Sequence, residues 1–287
     1  MKLTKFTDLA RKLPSPLFKI GAQAYIDYEF PRHIFIETTA SCQLSCAYCP
    51  REKISKDMDF NLFCSIIDEC SKYGPRSFSL HLFGETLLYP KILEAIAYIK
   101  RANKRHTILL TTNGLLLNKF AKSLEEVDRV IWSYRKNNFN EESIKLLRRK
   151  GLIRLLIEET PKEEFEKWSR FPRVEVKHLH NYGGQIDTKR WGLSDSISDR
   201  WPCYHLWLAP AIRWNGDITI CCNDPKGQES LGSYSDQFRL ADAWNSPRLV
   251  EIRESHLKGE YKGLCVGCNS YKAYPDIFFG FQKKCSH

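Results

Sequence analysis

From His33 onward the chain switches between short apolar runs and longer stretches whose apolar residues recur at helical spacing. His33–Glu37, Ser77–Phe83, Thr107–Thr111, Arg129–Ser133, Leu152–Ile157 and Val174–Leu179 read as six strands. Between them Phe60–Lys72, Pro90–Ala102, Asn118–Leu124 and Glu141–Lys150 read as helices. Gly74-Pro75 and Gly151 are stop signals, and Pro90 falls in a first turn, where a missing N–H costs nothing. Thr160-Pro161-Lys162-Glu163 has the spacing of a capping box and predicts a fifth helix. Six strands alternating with five helices predict an α/β fold with a parallel sheet. Six units are too few for a closed eight-fold barrel, so a partial TIM-type (β/α)6 barrel is expected over residues 33–184. Its reactive groups should gather at the carboxyl ends of the strands.

The flanks read differently. Residues 1–32 predict a lead-in with a short helix. Asn181-Tyr182-Gly183-Gly184 is a loop signal, and polar residues 185–202 read as a linker. Ala211–Ile220 alternates around Asn215-Gly216, a two-residue hairpin signal, and a helix-like stretch covers roughly Phe238–Leu257. Residues 203–287 therefore predict a second, smaller α+β domain.

Composition narrows the class. At 43% hydrophobic and 27% charged residues, the 287-residue chain is ordinary for a globular protein. No apolar run has the length of a membrane span, and the basic start lacks the apolar core of a secretory signal, so a cytoplasmic location is expected. The net charge of +10 invites a nucleic-acid partner, but Lys and Arg are scattered among acids rather than gathered, the look of solvated helix faces. Neither nucleic acid nor membrane is an expected partner.

Eleven cysteines in such a chain do not read as a disulfide framework. Cys64 and Cys70, in an apolar helical stretch, read as buried small hydrophobes. The densest group is Cys42-Gln43-Leu44-Ser45-Cys46-Ala47-Tyr48-Cys49. Three thiolates there can hold three irons of a [4Fe-4S] cube and leave the fourth iron open to a small ligand. Zinc, which wants four ligands in a closed structural site, finds no fourth Cys or His nearby in the sequence.

The C-x3-C-x2-C spacing, with an aromatic residue before the last cysteine, resembles the signature of the radical S-adenosylmethionine (radical SAM) enzymes. The resemblance implies a cluster at Cys42, Cys46 and Cys49, SAM on the open iron, and a flavodoxin- or ferredoxin-type electron donor. It also implies the partial barrel already read from periodicity. Gly84-Glu85, after the second strand, resembles the family's GGEP stretch, although Phe83 and Thr86 replace its first glycine and its proline. There Gly84 would allow close backbone approach to the cofactor and Glu85 would accept from the SAM ammonium. Asn113, in Thr111-Thr112-Asn113-Gly114, matches another recurrent stretch, though a plain Asn-Gly turn reads the same way. Ser133 stands where the family often places a cofactor-contacting serine. Tyr48 borders the adenine on this reading, and a core aromatic would look alike. Strand alternation offers His81, Arg154 and Glu158 as substrate-facing or catalytic candidates, against structural roles for each.

A second group, Cys203, Cys221, Cys265 and Cys268, supplies four thiolates, with Cys222 adjacent to Cys221. Viewed alone it fits a structural zinc site nearly as well as an iron–sulfur cluster. Beside the first motif it resembles the twitch domain, a shortened SPASM extension that carries one auxiliary [4Fe-4S] cluster, and the family pattern selects Cys221 over Cys222. The spacing is similar to that of the radical SAM dehydrogenase acting on 2-deoxy-scyllo-inosamine. Only Cys285 follows Cys268, so a second auxiliary cluster is not expected.

The resemblance implies hydrogen-atom abstraction followed by electron transfer to the auxiliary cluster, a dehydrogenation of a cyclitol or sugar alcohol. Modification of a peptide side chain is the rival reading. About 30 residues precede the first strand, with no separate peptide-binding domain expected there. A zinc-stabilised, non-catalytic scaffold is a third.

Overall fold

The structure, a computed structural model, describes residues 29–193, 202–203 and 205–269. The lead-in helix, most of the linker's second half and Cys285 lie outside the described residues. A nine-stranded sheet organises the rest. Its first six strands are β1 (His33–Ile36), β2 (Ser77–Ser79), β3 (Thr107–Thr112), β4 (Arg129–Ser133), β5 (Gly151–Leu156) and β6 (Val174–Lys177). They lie in chain order and are all parallel. The mixed α/β architecture, with its mostly parallel sheet, is the expected one.

The intervening helices are α1 (Phe60–Lys72), α2 (Ile92–Ala102), α3 (Leu117–Phe120), α4 (Glu141–Lys150) and α5 (Lys162–Ser169). Their apolar stripes and the outward-facing strand residues form one core that includes Ile34, Phe63, Ile96, Ile108, Trp132 and Ile153. Such burial of both sheet faces is why β1 and β3 read as near-continuous apolar runs. Asp59 and Asn140 start α1 and α4 by accepting from backbone N–H groups of the first turn. Acids at the start of α4 and bases at its end complement the helix dipole.

Gly151 ends α4 as expected, with φ −75°, and it is needed because a Cβ there would lie 2.4 Å from the Leu147 carbonyl oxygen, where α4 turns directly into β5. Two local expectations are corrected. The capping box at Thr160 does not form: Pro161 occupies the cap position, and the Thr160 hydroxyl is buried without a hydrogen-bond partner among the described residues. Strand β2 stops at Ser79 rather than Phe83, since the chain leaves the ladder for the site.

After β6 the chain returns beside β1. Short helix α6 (His205–Leu208) leads into β7 (Ala211–Ile212), which pairs parallel to β1. Then β8 (Asp217–Thr219) and β9 (Ser230–Ser233) extend the same sheet antiparallel. The hairpin has three loop residues, not two. Arg213 pairs with Asp217 through N–H to carbonyl at 2.9 Å, and Gly216 takes φ +90° at the loop's end. The helix expected over 238–257 is two, α7 (Leu240–Trp244) and α8 (Pro247–Leu257), because Ser246 caps α8 and Pro247 opens it. No helix among the described residues is long and apolar enough to cross a membrane.

Candidate active site

The loop after β1 carries Cys42, Cys46 and Cys49, and all three line a cavity of about 1400 Å³. Arg51 shapes the loop by donating to the carbonyls of Cys42 (3.1 Å) and Leu44 (2.9 Å). Arg135, following β4, donates to Cys46 Sγ at 3.2 Å and lies over the Tyr48 ring. Burial, with lesser contributions from Cys46 and Cys42, pushes the Cys49 thiol up.

Gly84 and Glu85 fix the next wall. A Cβ on Gly84 would lie 1.9 Å from the Thr39 carbonyl oxygen, and Glu85 N–H donates to Ser41 O at 2.8 Å. The glycine is therefore required by packing against the cysteine loop itself. Buried Glu85 accepts from the Thr112 hydroxyl (2.7 Å), Asn113 N–H (2.7 Å) and Leu87 N–H (3.2 Å). Burial raises its pKa, partly offset by these donors. Glu85 thus latches the end of β3 to the second loop. Asn113 holds its turn through Leu115 N–H on Oδ1 (2.9 Å), with Nδ2 near Gln43 and Cys42 Sγ.

Ser133, His81 and Arg154 line the same cavity; Tyr48 borders it with its hydroxyl buried and without a partner among the described residues. Glu158 does not line it. Its carboxylate instead accepts from Leu179 N–H (2.9 Å) and pairs with the exposed His178 (2.6 Å). Sequence reading also passed over Glu175 and Lys177, although their spacing of two puts both on the Arg154 side of the sheet. Arg154 Nε meets Glu175 Oε2 at 2.7 Å, and Lys177 Nζ meets Oε1 at 2.7 Å. Burial opposes ionisation of Glu175, but Arg154 and Lys177 outweigh it and hold the carboxyl below its usual range. Burial first, then repulsion from Arg154, lowers Lys177. The histidines nearby are kept neutral by burial: His33 falls to about 3, as do His81 and His180, and His205 to about 4. His81 Nδ1 is buried with no hydrogen-bond partner among the described residues.

The second cysteine group surrounds a separate space of about 660 Å³, lined by Cys203, Cys221, Cys265 and Cys268. Burial and the neighbouring thiols of Cys221, Cys268 and Cys265 push the Cys203 thiol well up. Cys222 lines the first cavity and not this one, and Asn223 lines both. Among the described residues no three Cys, His, Asp or Glu side chains converge tightly enough for a single metal ion. The sulfurs of each group instead ring a space, a donor set that fits a multi-atom iron–sulfur cluster.

A further feature escaped the sequence. Tyr182, Gly183 and Gly184 all have positive φ (48°, 71° and 82°), a strained run for a non-glycine residue. It is pinned by Asn181, which donates to Gly267 O (2.7 Å) and exchanges backbone–side-chain bonds with Asn269. A Cβ on Gly183 would lie 3.0 Å from Leu264 O. The loop after β6 is thereby fastened to the Cys265–Cys268 turn. Asn-Tyr-Gly-Gly signalled a loop but not its partner.

Comparison with known proteins fits this geometry. Residues 203–269 match the SPASM family model, an iron–sulfur cluster-binding domain. The crystal structure of BtrN in complex with AdoMet and 2-DOIA superposes with a TM-score of 0.63 at 19% identity, covering 84% of this chain and 93% of that one. Streptococcus suis SuiB bound to the precursor peptide SuiA gives 0.61 at 17% identity, covering 88% and 72%. In sequence, the probable GTP 3′,8-cyclase of Methanococcus maripaludis is 33% identical over 105 residues, 34% of this chain and 35% of that protein. The chain thus spans about a third of the length of that curated relative. These matches show an iron–sulfur cluster-binding domain of the SPASM family over residues 203–269 and, for the chain as a whole, the fold of the BtrN and SuiB structures.

Proposed function

We propose that this protein is a radical SAM oxidoreductase that removes two electrons from a hydroxyl-bearing small molecule, such as a cyclitol or sugar alcohol. The observation that carries the reading is the pair of thiol-lined cavities that share Asn223 in their walls, with the adjacent Cys221 and Cys222 lining one each. When bound, a [4Fe-4S] cluster with SAM supplies a 5′-deoxyadenosyl radical for hydrogen-atom abstraction, and the auxiliary [4Fe-4S] cluster supplies an electron acceptor.

The chain's own residues do the rest. Cys42, Cys46 and Cys49 hold the first cluster, with Arg51 and Arg135 offsetting its charge. Glu85 acts by holding the ends of β2 and β3 together, so that Asn113 and Ser133 present polar groups to the cofactor. His81 lines the cavity and is kept neutral by burial, so its imidazole is suited to accept from a substrate hydroxyl and take its proton as the alcohol is oxidised. Cys203, Cys221, Cys265 and Cys268 hold the auxiliary cluster.

Likeness to SuiB, solved with its precursor peptide, favours a second reading, modification of a peptide side chain. Anaerobic reconstitution tests both. A brown protein with iron for two clusters should release 5′-deoxyadenosine on reduction by a flavodoxin- or ferredoxin-type donor. Deuterium passing into it from a labelled secondary alcohol supports dehydrogenation, whereas deuterium from a labelled peptide supports the second reading. A colourless zinc protein that leaves SAM intact overturns both.

A further inference from the structure

We propose that Arg135 is a positioning residue for the first cluster: by donating to Cys46 Sγ it raises the potential at which that cluster takes up its electron. This rests on the cluster assignment above and adds how the cluster is made reducible. The carrying observation is one charged N–H···S contact held on a fixed scaffold. Arg135 Nη2 lies 3.2 Å from Cys46 Sγ, a hydrogen-bonding distance for sulfur. Cys42 Sγ is instead met by neutral donors, Leu44 N–H at 3.5 Å and Asn113 Nδ2 at 4.0 Å. Arg51, the other cation of the loop, turns its guanidinium to the carbonyls of Cys42, Leu44 and Glu52.

Three contacts hold Arg135 in place. Its Nη1 donates to the Tyr134 carbonyl, its guanidinium carbon lies over the buried Tyr48 ring at 5.2 Å from the centroid, and its own carbonyl accepts from Asn137 Nδ2 at 2.9 Å. Asn137 Nδ2 also donates to Asn113 O at 3.1 Å, which ties this turn to the end of β3. The preceding Tyr134 N–H still pairs with Arg154 O at 2.9 Å, so β4 and β5, and not the cysteine loop, aim the charge. Arg135 is half-buried on the wall of the large cavity, where water screens it less than at an open surface. A cationic donor on a ligating sulfur stabilises the reduced cluster, the more negative of its two states, more than the oxidised one. Gain of one electron from the flavodoxin- or ferredoxin-type donor is thereby eased, and no proton moves.

Redox titration of the anaerobically reconstituted protein without SAM tests this, read by electron paramagnetic resonance. The first cluster's signal is the one that later addition of SAM alters. Arg135→Gln should lower the reduction constant of that cluster about tenfold, or about 59 mV for one electron, and leave the auxiliary cluster's potential in place. Arg135→Lys keeps the charge and should recover most of the shift. Arginine labelled with heavy nitrogen should add a weak nuclear coupling to the reduced signal of the native protein, and Arg135→Lys should remove it. That readout decides the matter even where Arg135→Gln holds no cluster. An unchanged potential in Arg135→Gln overturns the proposal, as does an equal fall in both clusters, the mark of a general loosening. Weaker SAM binding at an unchanged potential also overturns it, because the guanidinium would then serve the cofactor's carboxylate. A native protein without iron at the first site fails the cluster assignment itself, whereas a loaded cluster whose potential ignores Arg135 fails this inference alone.

Discussion

Cys221 and Cys222 are neighbours in the chain whose side chains serve different cavities: Cys221 lines the four-cysteine space and Cys222 the large one. Both lie past the end of β8, in the turn that follows it, and their thiols are within hydrogen-bond reach of each other, so this one turn serves both spaces at once. The four-cysteine group is thereby brought within one residue of the large cavity.

This division predicts different iron contents. Cys221→Ala should lose the iron and sulfide of one cluster, while Cys222→Ala should keep both. Iron and labile-sulfide assays with electron paramagnetic resonance on the reduced proteins would check it. Equal iron in the two variants would refute the division.

Gly84→Ala should loosen the cysteine loop, since its Cβ would lie 1.9 Å from Thr39 O and the neighbour is backbone that cannot swing away. A cost of about 1–3 kcal/mol is expected from such overpacking. Denaturant titration would measure it, and iron at the first site should fall with it.

Glu85→Gln keeps the size of the latch but removes one acceptor. Three donors now meet two carboxylate oxygens, and a glutamine amide would turn its own N–H groups toward one of them. A loss of about 1–3 kcal/mol is expected, with weaker SAM binding because Asn113 is no longer held. Unchanged stability would show that the carboxylate is not the fastening.

Acid should destabilise the metal-free chain, with a sign set by three well-buried groups. His33 and His205 have folded pKa values of about 3 and about 4, so the unfolded chain takes up their protons first as pH falls below about 6.5. Glu37, raised to about 7 by burial, works oppositely by binding a proton in the folded state. His81 and His180 open on the cavity and are discounted. His106, lowered by burial, and Glu85, raised by it, act in opposite senses, so two protons against one leave a loss of roughly 1.4 kcal/mol per pH unit between pH 6.5 and 5. Glu37→Gln should roughly double that slope in denaturant titrations, and an unchanged slope would contradict the assignment.

Much of the barrel was legible because its signals are local. The apolar runs at β1 and β4 and the helical stripes at α1 and α4 fall where periodicity placed them. The cysteine spacing likewise needed no tertiary knowledge. The capping box failed because Pro161 took the cap position, and Glu158 was aimed inward by extending alternation past the end of β5 at Leu156. Glu175 and Lys177 were passed over because scattered charges read as a solvated face when taken one strand at a time.

The sequence by itself determined the units: six β/α repeats, a three-thiol loop after the first strand, and four further thiols around a hairpin. These follow from periodicity, turn chemistry and spacing, which act over a few residues. Tertiary structure alone decided that the hairpin joins the barrel's own sheet beside β1, that Asn181 fastens the β6 loop to the Cys265–Cys268 turn, and that Arg154 and Lys177 share one carboxylate. Each of these joins residues distant in the chain, and pairing at that range is set by packing and charge in three dimensions, which local pattern does not encode.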